Sequence, residues 1–185
     1  MSYLLGQFFG LLTPVCSIVT PFLKKKWQLL VANVLINVLV ILNLVLIGQF
    51  GSGSYLCFVA IIQSVMALFR TKKGEAVGIA EGIIFTLLYL CFGIFGIVTA
   101  PDFIPAVNYK NLLEVLPILG ALAQMVSVFV RDEQTTRKWL LCNTVFWMIY
   151  AIAVGSSVFV NDFLAFISIS SALYKYRKKP EHTTK

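Results

Sequence analysis

Charge is scarce in this chain. Only 12% of its 185 residues are Asp, Glu, Lys or Arg, where a soluble domain carries about 25%. Histidine is scarcer: His182 stands alone, near the C-terminal end. That excludes an acid–base or metal site built on histidine inside the apolar body of the chain. The cysteines form no CxxC. Cys16, Cys57, Cys91 and Cys142 each sit within an apolar run and read as small apolar fillers, not as disulfide partners or metal ligands. There is no phosphate-binding P-loop, so ATP hydrolysis is not expected. No cofactor and no metal is expected either.

What is abundant is apolar. Hydrophobic residues make up 59% of the chain, and mean hydropathy is +0.88. A core of this size could not hide so much apolar surface from water. The apolar residues fall in runs of roughly 17–22, enough to cross about 30 Å of hydrocarbon as helix. Seven runs are expected to span: Tyr3–Phe22, Trp27–Ile47, Ser54–Phe69, Ala76–Val98, Leu112–Val130, Trp139–Gly155 and Val158–Tyr174. All should be helices, because a helix satisfies its own backbone groups in lipid and no run alternates like a barrel strand. The last two are short, with Gly155, Ser156 and Ser157 as a tight turn. The first run lacks the basic start and cleavage site of a signal peptide and is expected to be retained.

The net charge of +7 raises the question of nucleic acid. The basic residues argue against it, because they form short clusters between apolar runs and not one soluble face. Lys24, Lys25 and Lys26 follow the first run, Arg70, Lys72 and Lys73 the third, and Arg131, Arg137 and Lys138 the fifth. Lys175, Arg177, Lys178, Lys179 and Lys185 follow the seventh, so 14 of the 15 basic residues fall on one side, with Lys110 opposite. The positive-inside rule makes the rich side cytoplasmic, where anionic lipid holds such clusters. The N-terminus is then outside and the C-terminus inside.

The chain also resembles itself. A shift of 110 residues lays Gly10 on Gly120, Ser17 on Ser127 and Asn33 on Asn143. Both copies end alike, Ala67-Leu68-Phe69-Arg70 and Ala172-Leu173-Tyr174-Lys175, after a loop five residues shorter. Three helices end on the side opposite their start, so a second copy keeps its orientation only with an odd number of helices between. The fourth run supplies one. The expected fold is an all-α integral membrane protein with seven transmembrane helices: two parallel three-helix bundles joined by a linker helix (3+1+3). The boundaries are 1–73 for the first bundle, 74–108 for the linker helix and outer loop, 109–179 for the second bundle and 180–185 for a cytoplasmic tail. Parallel repeats about an axis normal to the bilayer are a known transporter plan.

Helical spacing puts Gln7, Gly10, Pro14 and Ser17 on one face of the first run, and Pro117, Gly120, Gln124 and Ser127 on one face of the fifth. Small residues on such a stripe serve close helix packing. The same stripe also suits a solute path with hinges at Pro14 and Pro117, since proline weakens the helix it interrupts. Asn33 and Asn37 share a face of the second run, and Asn143, Trp147 and Tyr150 a face of the sixth. Interhelical hydrogen bonds account for asparagine in lipid. A central pocket accounts for it too, with Asn33 and Asn143 facing each other across the axis and Trp147 and Tyr150 as stacking surface.

Glu81 is the one acid clearly inside a run. An ion pair with the nearby basic loop is the plain reading, proton coupling the sharper one. Gly74, Gly78 and Gly82 form a small-residue ladder, either a packing face or the seam of a homo-oligomer. Glu114 and Asp162, near the outer interface, are expected to be solvated. Trp27 and Trp139 read as interface anchors.

The second half carries a resemblance. Leu112-Leu113-Glu114-Val115-Leu116-Pro117-Ile118-Leu119-Gly120 precedes a basic loop, then come Trp147-Met148-Ile149-Tyr150-Ala151-Ile152-Ala153-Val154-Gly155-Ser156 and Tyr174-Lys175-Tyr176-Arg177. This order resembles the YgjV-like family of bacterial inner-membrane proteins over nearly the whole chain. That family is distantly similar to the SWEET and PQ-loop transporters, which share the 3+1+3 plan. Leu12-Thr13-Pro14-Val15 ahead of Lys24-Lys25-Lys26 is similar to the end of a SWEET first helix. No Pro-Gln pair is present, and the asparagines of the SWEET third and seventh helices are missing mid-span. The resemblance implies the inner membrane but no sugar specificity.

Two readings follow: a small-solute transporter working by alternating access, or a non-transporting scaffold or assembly protein. An enzyme is not expected, since the acids are scattered and no nucleophile has a base beside it. The expected partners are the lipid bilayer and a small polar solute.

Overall fold

A computed structural model describes residues 1–19, 26–73, 78–100, 109–129 and 133–175. Among them are seven α-helices and no strand: α1 (Ser2–Val19), α2 (Lys26–Leu46), α3 (Ser52–Lys73), α4 (Ile79–Thr99), α5 (Tyr109–Phe129), α6 (Glu133–Ala153) and α7 (Phe159–Lys175). Each apolar run holds one helix. The ends differ from the hydropathy limits. α6 begins at Glu133 and not at Trp139, and α3 runs on through Arg70 to Lys73. Glu, Lys and Arg are good helix formers, so hydropathy marks where apolar surface stops, not where the helix does.

Two hairpin turns are built alike. After α2, Gly48 takes φ 82° and after α6 Gly155 takes φ 68°, a conformation that glycine adopts without a Cβ penalty. The Gln49 N–H reaches the Leu44 carbonyl at 2.8 Å, and the Ser156 N–H reaches Ala151 at 2.8 Å. Both are Schellman ends, which turn the chain back at once.

Six helices close a ring. α1 packs on α2, α2 on α3, α3 on α5, α5 on α6, α6 on α7, and α7 on α1. α4 lies outside the ring against α3 and α5. Side-chain bonds give the directions. Gln7 meets Ser157 and Ser17 meets Asn161, so α1 and α7 run parallel. Ser52 meets Glu114 and Gln63 meets Met125, so α3 and α5 run parallel too. Around the ring the order of neighbours is unchanged when α1, α2 and α3 are exchanged with α5, α6 and α7, and α4, which packs on α3 and α5, breaks the exchange. Arg70, Lys72, Lys73, Arg137, Lys138 and Lys175 gather at one end of the ring, the basic end, and Lys110 at the other.

Between α3, α4 and α5 the core is Leu56, Val59, Phe85, Tyr89, Ile118 and Met125. α4 comes close because two glycines allow it. A Cβ on Gly93 would stand 2.5 Å from Ile118 Cγ1, and one on Gly96 would stand 2.5 Å from the Ser52 Cα. α4 approaches tightly at this end. Gly78 has nothing within 4 Å of an added Cβ, Gly82 is buried, and Gly74 lies outside the described residues.

The outside is apolar. Leu4, Leu35, Ile62, Leu87, Leu119 and Ile152 are all exposed on different helices. Contiguous apolar surface of this kind is lipid-facing or sticky in water. By length and composition, two described stretches are apolar enough to cross a membrane, Ser52–Arg70 and Ile79–Thr99, and Leu30–Leu46 is apolar but shorter. The polar residues Asn143 and Thr144 on α6 and Asn161 and Asp162 on α7 look into the ring.

Candidate functional site

The centre of the ring is a cavity of about 250 Å³. α2 contributes Asn33 and Asn37 and α5 contributes Gln124. α6 contributes Asn143, Thr144 and Trp147. α3 presents Leu56, Cys57, Ala60 and Gln63, while α7 presents Asn161, Asp162 and Ala165. Three of these wall positions correspond at an offset of 105: Leu56 with Asn161, Cys57 with Asp162, Ala60 with Ala165.

The asparagines that spacing singled out reach this cavity, but each is tied within its own group of three helices. Asn33 Nδ2 donates to Ser64 Oγ at 2.7 Å, and Asn143 Nδ2 donates to Gln124 Oε1 at 3.2 Å. Asn37 Nδ2 donates to the Asn33 carbonyl at 2.8 Å. Asn33 and Asn143 do not bond to each other across the cavity. α5 and α6 approach closely at Gly120, where a Cβ would stand 2.8 Å from Trp147 Cδ1.

Tyr150 and Gln7 are not on the cavity wall. They lie toward the end opposite the basic one, where two clasps of matching chemistry close the ring. In one, the Ser157 N–H donates to Gln7 Oε1 at 2.7 Å and Ser157 Oγ donates to the Gln7 carbonyl at 2.7 Å. In the other, the Ser52 N–H donates to Glu114 Oε2 at 2.5 Å, and Ser52 Oγ lies 2.6 Å from the Glu114 carbonyl. Each ties the start of one helix, α7 or α3, to the side chain and main chain of a residue on the parallel neighbour, α1 or α5. Tyr150 OH donates to Glu114 Oε1 at 3.3 Å. Gln7 Nε2 donates to the Gly155 carbonyl at 2.6 Å. Asn43, fully buried, donates to the Gly6 carbonyl at 2.8 Å and accepts from Ser156 Oγ.

Glu114 is thus buried among donors, not solvated as its place near a helix start suggested. Asp162 is buried as well, at 9% exposure, because α7 turns it onto the cavity. Its Oδ1 accepts from Asn161 Nδ2 at 3.3 Å, while Oδ2 has no hydrogen-bond partner among the described residues. Asn143 Oδ1 is also without one.

Pro14 and Pro117 are both buried inside unbroken helices. Proline at 14 leaves the Gly10 carbonyl without its helical donor, and Thr13 Oγ1 takes that place at 2.6 Å. Toward the basic end a second cavity of about 190 Å³ shares Asn33, Gln63 and Gln124 with the first and reaches Glu81. Arg70 Nε pairs with Glu81 Oε1 at 2.6 Å, and Glu81 Oε2 accepts from the Gly78 N–H at 3.1 Å. Trp27 and Trp139 are exposed at the basic end.

Sequence reasoning missed Gln63, Asn161, Asp162 and both serine clasps. Gln63 accepts from Tyr89 OH at 2.6 Å and donates to Met125 Sδ at 2.9 Å, which ties α3 to α4 and α5. The offset of 105 that aligns Ala67 with Ala172 also aligns Ser52 with Ser157. That match was available from the letters alone.

The described helices combine an apolar exterior with a polar centre. The family model for Imp-YgjV, described as a bacterial inner membrane protein, matches residues 4–180, and the chain belongs to that family. No curated protein and no solved structure matches it.

Proposed function

We propose that this chain crosses the bilayer seven times, with its N-terminus outside and its C-terminus in the cytoplasm, and carries a small polar solute by alternating access. α1–α3 and α5–α7 are the two like-oriented bundles, on a plan like that of the SWEET proteins, and α4 is the inverting link. The observation that carries the reading is the polar cavity of about 250 Å³ at the centre of an otherwise apolar-faced ring. Asparagine and glutamine in lipid are costly without a partner, and a solute supplies one. The exchange symmetry of the helix neighbours supports the paired bundles.

The clasps at Gln7–Ser157 and Glu114–Ser52 close the outer end, while the track through Gln63 and Gln124 leads to the basic end. In this reading, closed clasps at one end and an open track at the other make an inward-facing state. Pro14 and Pro117, each on a helix that bears a clasp, are the hinges that release it. Glu81, paired with Arg70, serves the inner rim in this reading and is not the coupling acid. The protein performs no covalent chemistry.

The experiment is uptake by the full chain reconstituted in liposomes, with a panel of small metabolites and Asn143→Ala beside the wild type. We expect at least one solute to enter faster than in empty liposomes, with the rate reduced roughly tenfold in Asn143→Ala. Absence of any uptake, or uptake untouched by that substitution, would count against the reading. So would a topology measurement that puts residues 1 and 185 on the same face.

A further inference from the structure

We propose that the central cavity takes a small solute bearing a primary ammonium group, with Asp162 as its counter-charge. This deepens the solute-carrier reading of the same cavity and rests on it. The argument starts from what the cavity wall lacks. No Lys, Arg or His lines it among the described residues, and Asp162 is its one acid. The remaining polar groups on the wall are neutral amides, hydroxyls, a thiol and the Trp147 indole N–H. A lone carboxylate in a low-dielectric cavity favours a cation over an anion or a neutral molecule.

The hydrogen-bond count points the same way. Among the described residues, the buried oxygens left without a donor are Asp162 Oδ2 and Asn143 Oδ1, and both residues line this cavity. Three of the wall's amide nitrogens, those of Asn33, Asn143 and Asn161, already bond within the protein. A buried acceptor without a donor costs free energy. The site therefore has acceptors to offer a ligand that brings N–H or O–H groups. An ammonium brings three donors and a positive charge at once. Trp147 borders the same space, and an indole is the side chain best suited to a cation near its face. Val40, Ala121 and Val158 leave room for a short apolar part.

Saturation-transfer NMR titrations on the full chain in nanodiscs test the proposal, with four probes of one scaffold. They are 2-aminoethanol, ethylene glycol, glycolate and choline, at matched ionic strength in sodium chloride. We expect 2-aminoethanol to bind roughly tenfold more tightly than ethylene glycol or glycolate, the ratio one charged hydrogen bond carries. Choline, a cation without N–H donors, should fall between. Asp162→Asn should level the ranking. Equal binding of glycol, glycolate or choline and the amine would overturn the proposal, as would displacement of the amine by sodium alone. An unchanged ranking in Asp162→Asn would overturn it too. If that variant does not fold, the wild-type ranking decides.

The two readings fail separately. An amine that binds but is never carried across liposomes removes the transport reading and leaves the ligand class. A neutral or anionic solute that is carried, with no amine binding, does the reverse.

Discussion

The two groups of three helices share their hairpin turns, their directions and their order round the ring, yet they differ where they meet the cavity and where they close it. On the wall, α3 brings Leu56 and Cys57 where α7 brings Asn161 and Asp162. At the end away from the basic one, α1 offers Gln7 to Ser157 where α5 offers Glu114 to Ser52. The backbone frame is held in common, and the chemistry is concentrated in one partner of each pair. A ring in which both walls carried an acid would put two like charges at the same depth, a costly arrangement in low dielectric. A ring with neither would give a charged ligand no reason to enter. On the proposed reading, one acid and one thiol at corresponding places avoid both.

The largest effect should come from the charged clasp. Glu114 accepts from the Ser52 N–H, has Ser52 Oγ within reach, and accepts from Tyr150 OH, all buried. Glu114→Ala leaves those donors facing apolar neighbours. The cost is about 2–3 kcal/mol, seen as a lowered unfolding midpoint of the purified chain in detergent. Glu114→Gln keeps an oxygen for the Ser52 N–H, as Gln7 does for Ser157, and should cost about half as much. If Glu114→Ala proves as mild as Glu114→Gln, the carboxylate is not what holds α3 to α5.

A smaller effect tests whether the two walls are interchangeable. Asp162→Cys should weaken 2-aminoethanol binding roughly tenfold, or about 1.4 kcal/mol. The double exchange Cys57→Asp with Asp162→Cys moves the acid to the corresponding place on α3 and should restore most of that loss. The readout is the same NMR titration. A double variant as weak as the single one would show that the positions are not equivalent about the cavity.

How much of this could be seen in the letters divides along physical lines. Seven helices were legible because apolar length is a local property: each run in the sequence holds one of the seven described helices. Asn33, Asn37 and Asn143 were legible as inward-facing because an amide in lipid has few alternatives. The ring order was not legible. Hydropathy does not say that α3 touches α5 or that α1 touches α7. For the same reason Glu114 was read as solvated. Its burial depends on Ser52, 62 positions away, meeting it across a helix boundary. Asp162 was misplaced because proximity to a helix start suggests water, whereas the correspondence of Cys57 and Asp162 would have set it on the wall. Tyr150 shares a helix face with Trp147 but stands far enough along α6 to meet Glu114 and leave the cavity.

The smallest predicted effect belongs to the neutral clasp. Gln7 makes two bonds through its side chain, accepting from the Ser157 N–H and donating to the Gly155 carbonyl. Its carbonyl still receives Ser157 Oγ when the side chain is cut back. Gln7 is half-buried, so water or lipid headgroups can replace part of what Gln7→Ala removes. Side-chain hydrogen bonds of this kind in membrane proteins are worth about 0.6 kcal/mol each, which sets the loss near 1 kcal/mol. The clasps are then unequal, and α1–α7 is the weaker seam. In a carrier, the weaker seam parts first. Spin labels across α1 and α7 at the outer end should therefore report more separation than labels across α3 and α5. Equal distances at both seams, or a larger one at α3–α5, would mean that closure strength does not set the order of opening.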